Sequence, residues 1–376
     1  MTAGIAPVAF ARDPDQIDCF CLSQDSITED LSNFINDQPY RHAVLFSRLY
    51  TDTPSYTPIQ VLDELKGLTL AELQEFTRKI FKEFYAEALV QGNLGQKEAL
   101  GMVEAMDNAF KFATVPKAKR AYPRATKLPQ AADSLYGTVL SMKEPNPNNP
   151  NSAVVVQIQS SNKETKHQMA WEVLASMLEQ PFYGSLRTKQ QLGYIVGAGI
   201  KAAEGARSLT FTVQSSVADS SYATQKVFEF LEESFTPIVE NMSEKDFKIY
   251  VDGIVREKLQ QEKKLVTEVA RHWGEIQGEE YIYDRAQREA AALLQVKKED
   301  VVAIYKDCVL PKGSQRRVFV SGIESQVPNP QRLKGAEFDK ATLAQDPKKF
   351  QATNGFLERK STAASNILAY KPINEI

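Results

Sequence analysis

At 376 residues the chain is long enough for two domains with a buried core in each, so neither a disulfide framework nor a structural metal is needed for folding. Hydrophobic residues make up 43% and charged residues 25%, and the net charge is −3; this is an ordinary globular composition that excludes a disordered chain and a strongly basic nucleic-acid binder. Cys19, Cys21 and Cys308 form an odd, sparse set that fits a reducing compartment better than a secreted disulfide scaffold, and Cys19-Phe20-Cys21 without a second thiol pair makes a poor zinc site.

Residues 1–25 have no clear pattern. Met1–Arg12 is mildly apolar but lacks a basic start and is broken by Pro7, which does not read as a secretory signal, and no run is long enough to span a bilayer; a cytoplasmic location is the expectation. From Ser26 the apolar residues Ile27, Leu31, Phe34 and Ile35 have helical spacing, with Ser26 and Glu29 placed as a capping box. Further helices are expected over Tyr40–Tyr50, Ile59–Leu65 and Leu70–Phe84, the last capped by Thr69. Tyr85–Gln91 reads as a strand ending at the turn pair Gly92-Asn93, and Lys97–Phe112 as a helix. Helices, one strand and one helix over 26–112 make the back half of an α+β domain.

Residues 113–132 are rich in Lys, Arg, Ala and Pro without an apolar period and read as a solvated linker. Only Tyr122 lies within the charge run Lys117–Arg124, too little stacking for a nucleic-acid patch. A second domain is expected over 133–325, followed by a tail over 326–376. Its elements are strands at Leu135–Met142 and Ala153–Ser160, a helix burying Met169, Trp171, Val173, Leu174, Met177 and Leu178, and a strand at Leu209–Val213. Helices follow at Ser221–Val239, Ser243–Glu262, Val266–Gln277, Tyr283–Leu294 and Lys298–Cys308, with a last strand at Arg317–Ser321. This order indicates an α+β fold of antiparallel sheets with helices packed on one face, present as one partial and one complete copy.

Between that first helix and the next strand lies Gln180–Gly199. Pro181 suits a first helical turn, Gly193 a left-handed helix end, and Tyr194-Ile195-Val196 a strand. Such a corner holds the cation of Arg187 and the phenol of Tyr194 on rigid elements beside one glycine. Each has an ordinary reading: Arg187 paired with Glu179, and Tyr194 packed in a core.

The run Leu186-Arg187-Thr188-Lys189-Gln190-Gln191-Leu192-Gly193-Tyr194-Ile195-Val196 closely resembles the R-T-K-x-Q-L-G-Y-x-V signature in the C-terminal half of the insulysin and pitrilysin zinc metallopeptidases. Asn33-Phe34, Gln38-Pro39, His42-Ala43, Ala88–Asn93 and Trp273-Gly274-Glu275-Ile276 stand in the family's order on either side, so that the resemblance covers Ile27 to Ser321. It implies a metalloprotease-like αβ roll: part of the third and all of the fourth of four homologous domains. In that family two halves close around a chamber. The N-terminal half holds zinc, and the C-terminal half lends the Arg and Tyr of the signature, here Arg187 and Tyr194; Tyr183, one turn earlier, falls where the family has a pocket aromatic.

The zinc-binding His-x-x-Glu-His itself is missing. The three histidines, His42, His167 and His272, are far apart, and His272-Trp273-Gly274-Glu275-Ile276 has isoleucine where the second ligand should stand. His42 and His167 read as helix-surface or half-buried residues. No nucleophile elbow, phosphate loop or Cys-His signature is present, and the acid pairs Glu232-Glu233 and Glu279-Glu280 read as solvated faces. The expectation is a half without a cofactor of its own that binds peptides and completes a site whose zinc lies in an N-terminal half, on the same chain or a separate subunit. The alternatives are a stand-alone peptide-binding or regulatory subunit, or an inert fragment.

Overall fold

The computed structural model describes residues 14–110, 113–131, 134–203, 206–336, 342–343 and 346–357. Met1–Arg12, the expected domain start near Asp133 and the last residues of the tail fall outside them, as do the final two residues of the helix expected over Lys97–Phe112.

The N-terminal part is helical: α1 (Pro14–Ser32), α2 (Pro39–Thr51), α3 (Pro58–Gly67), α4 (Leu70–Ile80) and α5 (Gln96–Phe110). Helix α1 begins well before Ser26, which therefore lies mid-helix rather than at a cap. Thr69 caps α4 as expected: its hydroxyl accepts from the Glu72 N–H at 3.3 Å and the Glu72 carboxylate accepts from the Thr69 N–H at 2.9 Å. The strands here are two residues each: β1 (Asp52–Thr53), β2 (Glu83–Phe84), β3 (Ala113–Thr114) and β4 (Arg124–Ala125). The expected strand over Tyr85–Gln91 does not form; side chains hold that segment instead. Glu87 accepts from Tyr85 at 2.6 Å and from Tyr281, and Gln91 meets His272 at 3.0 Å.

The C-terminal part contains β5 (Thr138–Lys143), β6 (Ser152–Gln159), α6 (Thr165–Tyr183), β7 (Ile195–Ala203), β8 (Ala206–Ser215), α7 (Ser220–Glu229), α8 (Thr236–Asn241), α9 (Glu244–Lys258), α10 (Leu265–Gln277), α11 (Arg285–Leu293), α12 (Lys298–Ile304) and β9 (Val318–Glu324). Strand β10 (Thr342–Leu343) and helix α13 (Pro347–Asn354) follow. The helices expected over Ser221–Val239 and Lys298–Cys308 each contain a π-helical stretch, Phe230–Phe235 and Tyr305–Val309.

Six strands form one sheet in the order β10-β5-β9-β6-β8-β7. Strands β6, β7, β8 and β9 pair antiparallel, whereas β5 runs parallel to both β9 and β10, so the sheet is mixed. The chain is α+β as expected, but helices cover both faces. All eight residues of β6 are buried, which marks a strand covered on two sides. Its alternate residues Val154, Val156 and Ile158 join the main core with Met169, Leu174 and Leu178 of α6. Ala153 and Val155 join a second core under Ala43, Phe46 and Tyr50 of α2 and Phe350 of α13.

Residues 124–131, expected within a solvated linker, are woven into this second layer. Leu128 is fully buried, the Gln159 side chain bonds the Leu128 N–H and the Thr126 carbonyl at 2.9 Å each, and β4 pairs with β1. The tail is anchored as well: Phe350 of α13 meets Tyr50 of α2 and Phe319 of β9 edge to face, and those two rings tilt against each other, with centroids 5.3 to 6.0 Å apart.

Candidate functional site

Helix α6 carries the site. Its apolar side is buried from Gln168 to Phe182, which fixes its roll and depth against the sheet. Pro181 lies inside this helix near its C-terminal end, not in a first turn. Proline has no N–H to offer the carbonyl one turn back, and the winding loosens just beyond it: Gly184–Lys189 form a π-helical stretch. Leu186 is fully buried and Leu192 is 2% exposed, and the Leu192 N–H donates to the Leu186 carbonyl at 3.0 Å, so the exit from the helix is pinned at both ends.

The left-handed residue of this exit is Gln191 (φ 53°), not Gly193. Gly193 answers to a different constraint: a Cβ there would stand 1.8 Å from the carbonyl oxygen of Gln214 on β8. Gln214 is itself fixed from the N-terminal part, since its side chain accepts from the Tyr40 N–H at 3.0 Å and donates to Gln38 at 2.8 Å. The corner is therefore clamped between α6, β8 and the first turn of α2.

At the corner the Arg187 guanidinium lies between two aromatic rings, 4.4 Å from the centroid of Tyr194 and 4.9 Å from that of Tyr183. The three residues singled out by sequence meet in one cage. Tyr194 is 78% exposed, which excludes a core role, and no carboxylate lies within ion-pair distance of Arg187 among the described residues, which excludes a pairing with Glu179. Each cation–π contact at such an exposed site contributes roughly 0.5–1 kcal/mol. The rings orient the guanidinium, while its N–H edges and the Tyr194 hydroxyl are used by no protein acceptor among the described residues. This leaves a permanent cation and a phenol side by side, both able to donate to an oxygen that is gaining charge.

A buried charge network backs α6 from the other side. Arg207 on β8 and Lys258 on α9 each bridge Glu172 on α6 and Glu289 on α11: Lys258 reaches both carboxylates at 2.7 Å, and Arg207 reaches Glu289 at 2.8 Å and also Glu172. The four side chains are 11–18% exposed. No local pattern marks these four residues, which are spread over the chain.

His42 is not a surface residue but fully buried. Its Nδ1 lies 3.0 Å from Glu144 and its Nε2 2.7 Å from the Phe34 carbonyl, so both ring nitrogens face acceptors. Burial opposes its charge, but Glu144 and the carbonyl outweigh it and hold the pKa above the usual histidine value. His167 is half-buried as expected; burial lowers its pKa and it accepts from Trp171 at 3.0 Å. In Trp273-Gly274-Glu275-Ile276, Glu275 is buried and engaged by Arg285, which also takes Glu280, so that this acid is an ion-pair partner and not a solvated face. Among the described residues no group of three or more His, Cys, Asp and Glu side chains is placed to hold a metal ion. Cys19 and Cys21 are exposed thiols; Cys308 is buried and its pKa is pushed up to about 12.

The family described as "PQQ synthase PqqF-like, C-terminal lobe domain 4" matches residues 173–273, the stretch holding this corner. Insulin-degrading enzyme from Homo sapiens is 29% identical over 307 residues, covering 80% of this chain. The matches make the chain similar to the C-terminal half of the insulysin and pitrilysin family. Nardilysin from Homo sapiens is 28% identical over 260 residues, covering 69% of this chain. The crystal structure of pitrilysin superposes with a TM-score of 0.75 at 14% identity, covering 94% of the chain and 36% of pitrilysin, which shows the shared fold. The chain fits the C-terminal half of the family and spans 29% of the length of insulin-degrading enzyme and 22% of nardilysin.

Proposed function

We propose that this chain acts as the zinc-free C-terminal half of an insulysin-like metalloendopeptidase, enclosing peptide substrates and completing the active site of a zinc-bearing N-terminal half. The observation that carries this reading is the cage: Arg187 is held between Tyr183 and Tyr194 with its donors, and the Tyr194 hydroxyl, directed at no protein acceptor. Were a metal held in the opposite half to activate a water for attack on a peptide carbonyl, negative charge would grow on the carbonyl oxygen. A phenol and a guanidinium fixed in advance stabilise that charge more than they stabilise the ground state. Tyr183 orients Arg187 and lines the substrate pocket. The chain alone hydrolyses no peptide, and its working location is cytoplasmic.

The test is reconstitution with a zinc-bearing N-terminal half of the family. Tyr194→Phe should lower kcat by about 10²–10³, the usual cost of one oxyanion donor, with folding unchanged by circular dichroism. Turnover equal to that of the unmodified chain would sink the assignment, and stoichiometric zinc with peptide cleavage by the chain alone would overturn the division of labour.

A further inference from the structure

Strand β7 ends the six-stranded sheet, and its outer side pairs with no strand among the described residues. Exposed edges of this kind are commonly blunted by bulges, prolines or charges. This one has none of the first two: its nine residues pair one-to-one with β8 without a bulge, it lacks proline, and Lys201 is its only charged residue. A straight, mostly apolar edge of nine residues, roughly 30 Å at ~3.4 Å per residue, is a template for another backbone.

The two faces of β7 differ. Val196 is buried in the main core and Ala198 and Ile200 pack against it. On the opposite face Gly197 stands across from Thr212, which stands across from Val155; Gly199, Thr210 and Gln157 form the next row. Side chains on these rows shrink towards the edge, and a Cβ added at Gly197 or Gly199 would meet nothing within 4 Å. The rows floor a cleft of about 710 Å³ between the sheet and α2, with Lys201, Asp52, Thr210, Thr212 and Gln157 in its lining. Lys201 closes its end, bonded to both Asp52 oxygens at 2.9 and 3.0 Å and to Thr51 at 3.0 Å. Strand β7 starts one residue after Tyr194.

We infer that the outer edge of β7 binds an extended, unstructured peptide as an added strand, with alternate peptide side chains leaning over the glycines into the cleft. Backbone hydrogen bonds give such a site affinity without strict sequence preference, and the cleft, where Val44 and Val155 stand beside Thr210 and Thr212, suits small β-branched side chains such as Thr and Val at alternate positions. A peptide seated there runs past the Tyr194 phenol and the Arg187 guanidinium. The inference rests on the reading that this chain handles peptides, and adds where and how it holds them.

The test uses the chain alone and a fluorescent peptide of about ten alternating Thr and Val residues with terminal lysines. Two N-methylated versions block alternate sets of backbone N–H groups. One version should bind at least tenfold more weakly and the other within twofold of the parent, and the amides of Ile195–Ala203 should exchange more slowly with peptide bound. Equal affinity of the two versions, no measurable binding, or a sedimenting dimer whose β7 amides are already protected without peptide would each overturn the inference; the last would put a second copy on the edge. Because no zinc-bearing half is present, these outcomes are independent of the effect of Tyr194→Phe on turnover.

Discussion

Lys258→Met interrogates the charge network behind α6. The variant keeps the length of the side chain and removes its charge, leaving Glu172 and Glu289 facing one another with Arg207 as their one remaining partner. Removing one member of a buried ion pair costs ~3–5 kcal/mol because the other charge stays buried. Side chains here are 11–18% exposed, so some rehydration is available, and the low end of that range, about 3 kcal/mol, is the expected loss. That is a change of about a hundredfold in the folding equilibrium. Urea unfolding followed by near-UV circular dichroism reads it directly, with Lys306→Met as the control: its pair with Glu240 is 56% and 40% exposed and should be worth under ~1 kcal/mol. Adding Glu289→Gln to Lys258→Met removes the surplus acid and should recover roughly 1–2 kcal/mol, a coupling in the range seen for residues in one network. A loss below ~0.5 kcal/mol for Lys258→Met, or strict additivity in the double variant, would refute the argument that the ring holds α6 in place.

Gly193→Ala places a methyl 1.8 Å from the Gln214 carbonyl, so backbone must move; a loss of ~1–3 kcal/mol is expected, together with weaker binding of any ligand that depends on the Tyr194 position, and a variant as stable as the parent would show that the corner yields cheaply. The His42–Glu144 pair predicts a pH dependence. With the folded pKa of His42 raised, its contribution is fully present below the unfolded value of ~6.5 and is lost as pH rises through the folded value. Unfolding free energies measured between pH 6 and pH 9 should therefore fall more steeply in the parent than in His42→Gln, and parallel curves would contradict the doubly hydrogen-bonded imidazolium.

Much of this architecture is legible in local pattern. The Thr69–Glu72 cap, the alternation of β8 and the order of the C-terminal helices all appear near their expected places, because each depends on residues within a turn or two. The corner residues were legible through the signature, and Tyr183, Arg187 and Tyr194 do meet. What local pattern does not carry is pairing at a distance. The parallel docking of β5 on β9, the burial of His42 against Glu144 and the four-residue charge ring join segments that nothing in their own neighbourhoods marks. Pro181 misled for a related reason: a helix packed along its length on a core tolerates a proline near its end that an isolated helix would not. Gly193 was legible as a constrained position, but its constraint is contact with another strand and not its own dihedral angle.

The pairing of β5 with β9 has a consequence for how the chain reaches this state. Strand β5 is made early, yet the neighbour that places it in the sheet lies at Val318–Glu324, and the helix that seals Tyr50 and Leu49 is α13 at Pro347–Asn354. During synthesis the β7–β8 hairpin can close as soon as residue 215 has emerged, since its two strands are adjacent in sequence. Strand β6 can then pair with β8, but β5 and the other edge of β6 must wait more than a hundred further residues for β9. Closing so long a loop is slow, and until it closes the emerging chain exposes apolar strand faces from β5 and β6. Release from the ribosome and early contact with holdase chaperones should therefore govern the yield of folded protein more than its equilibrium stability does.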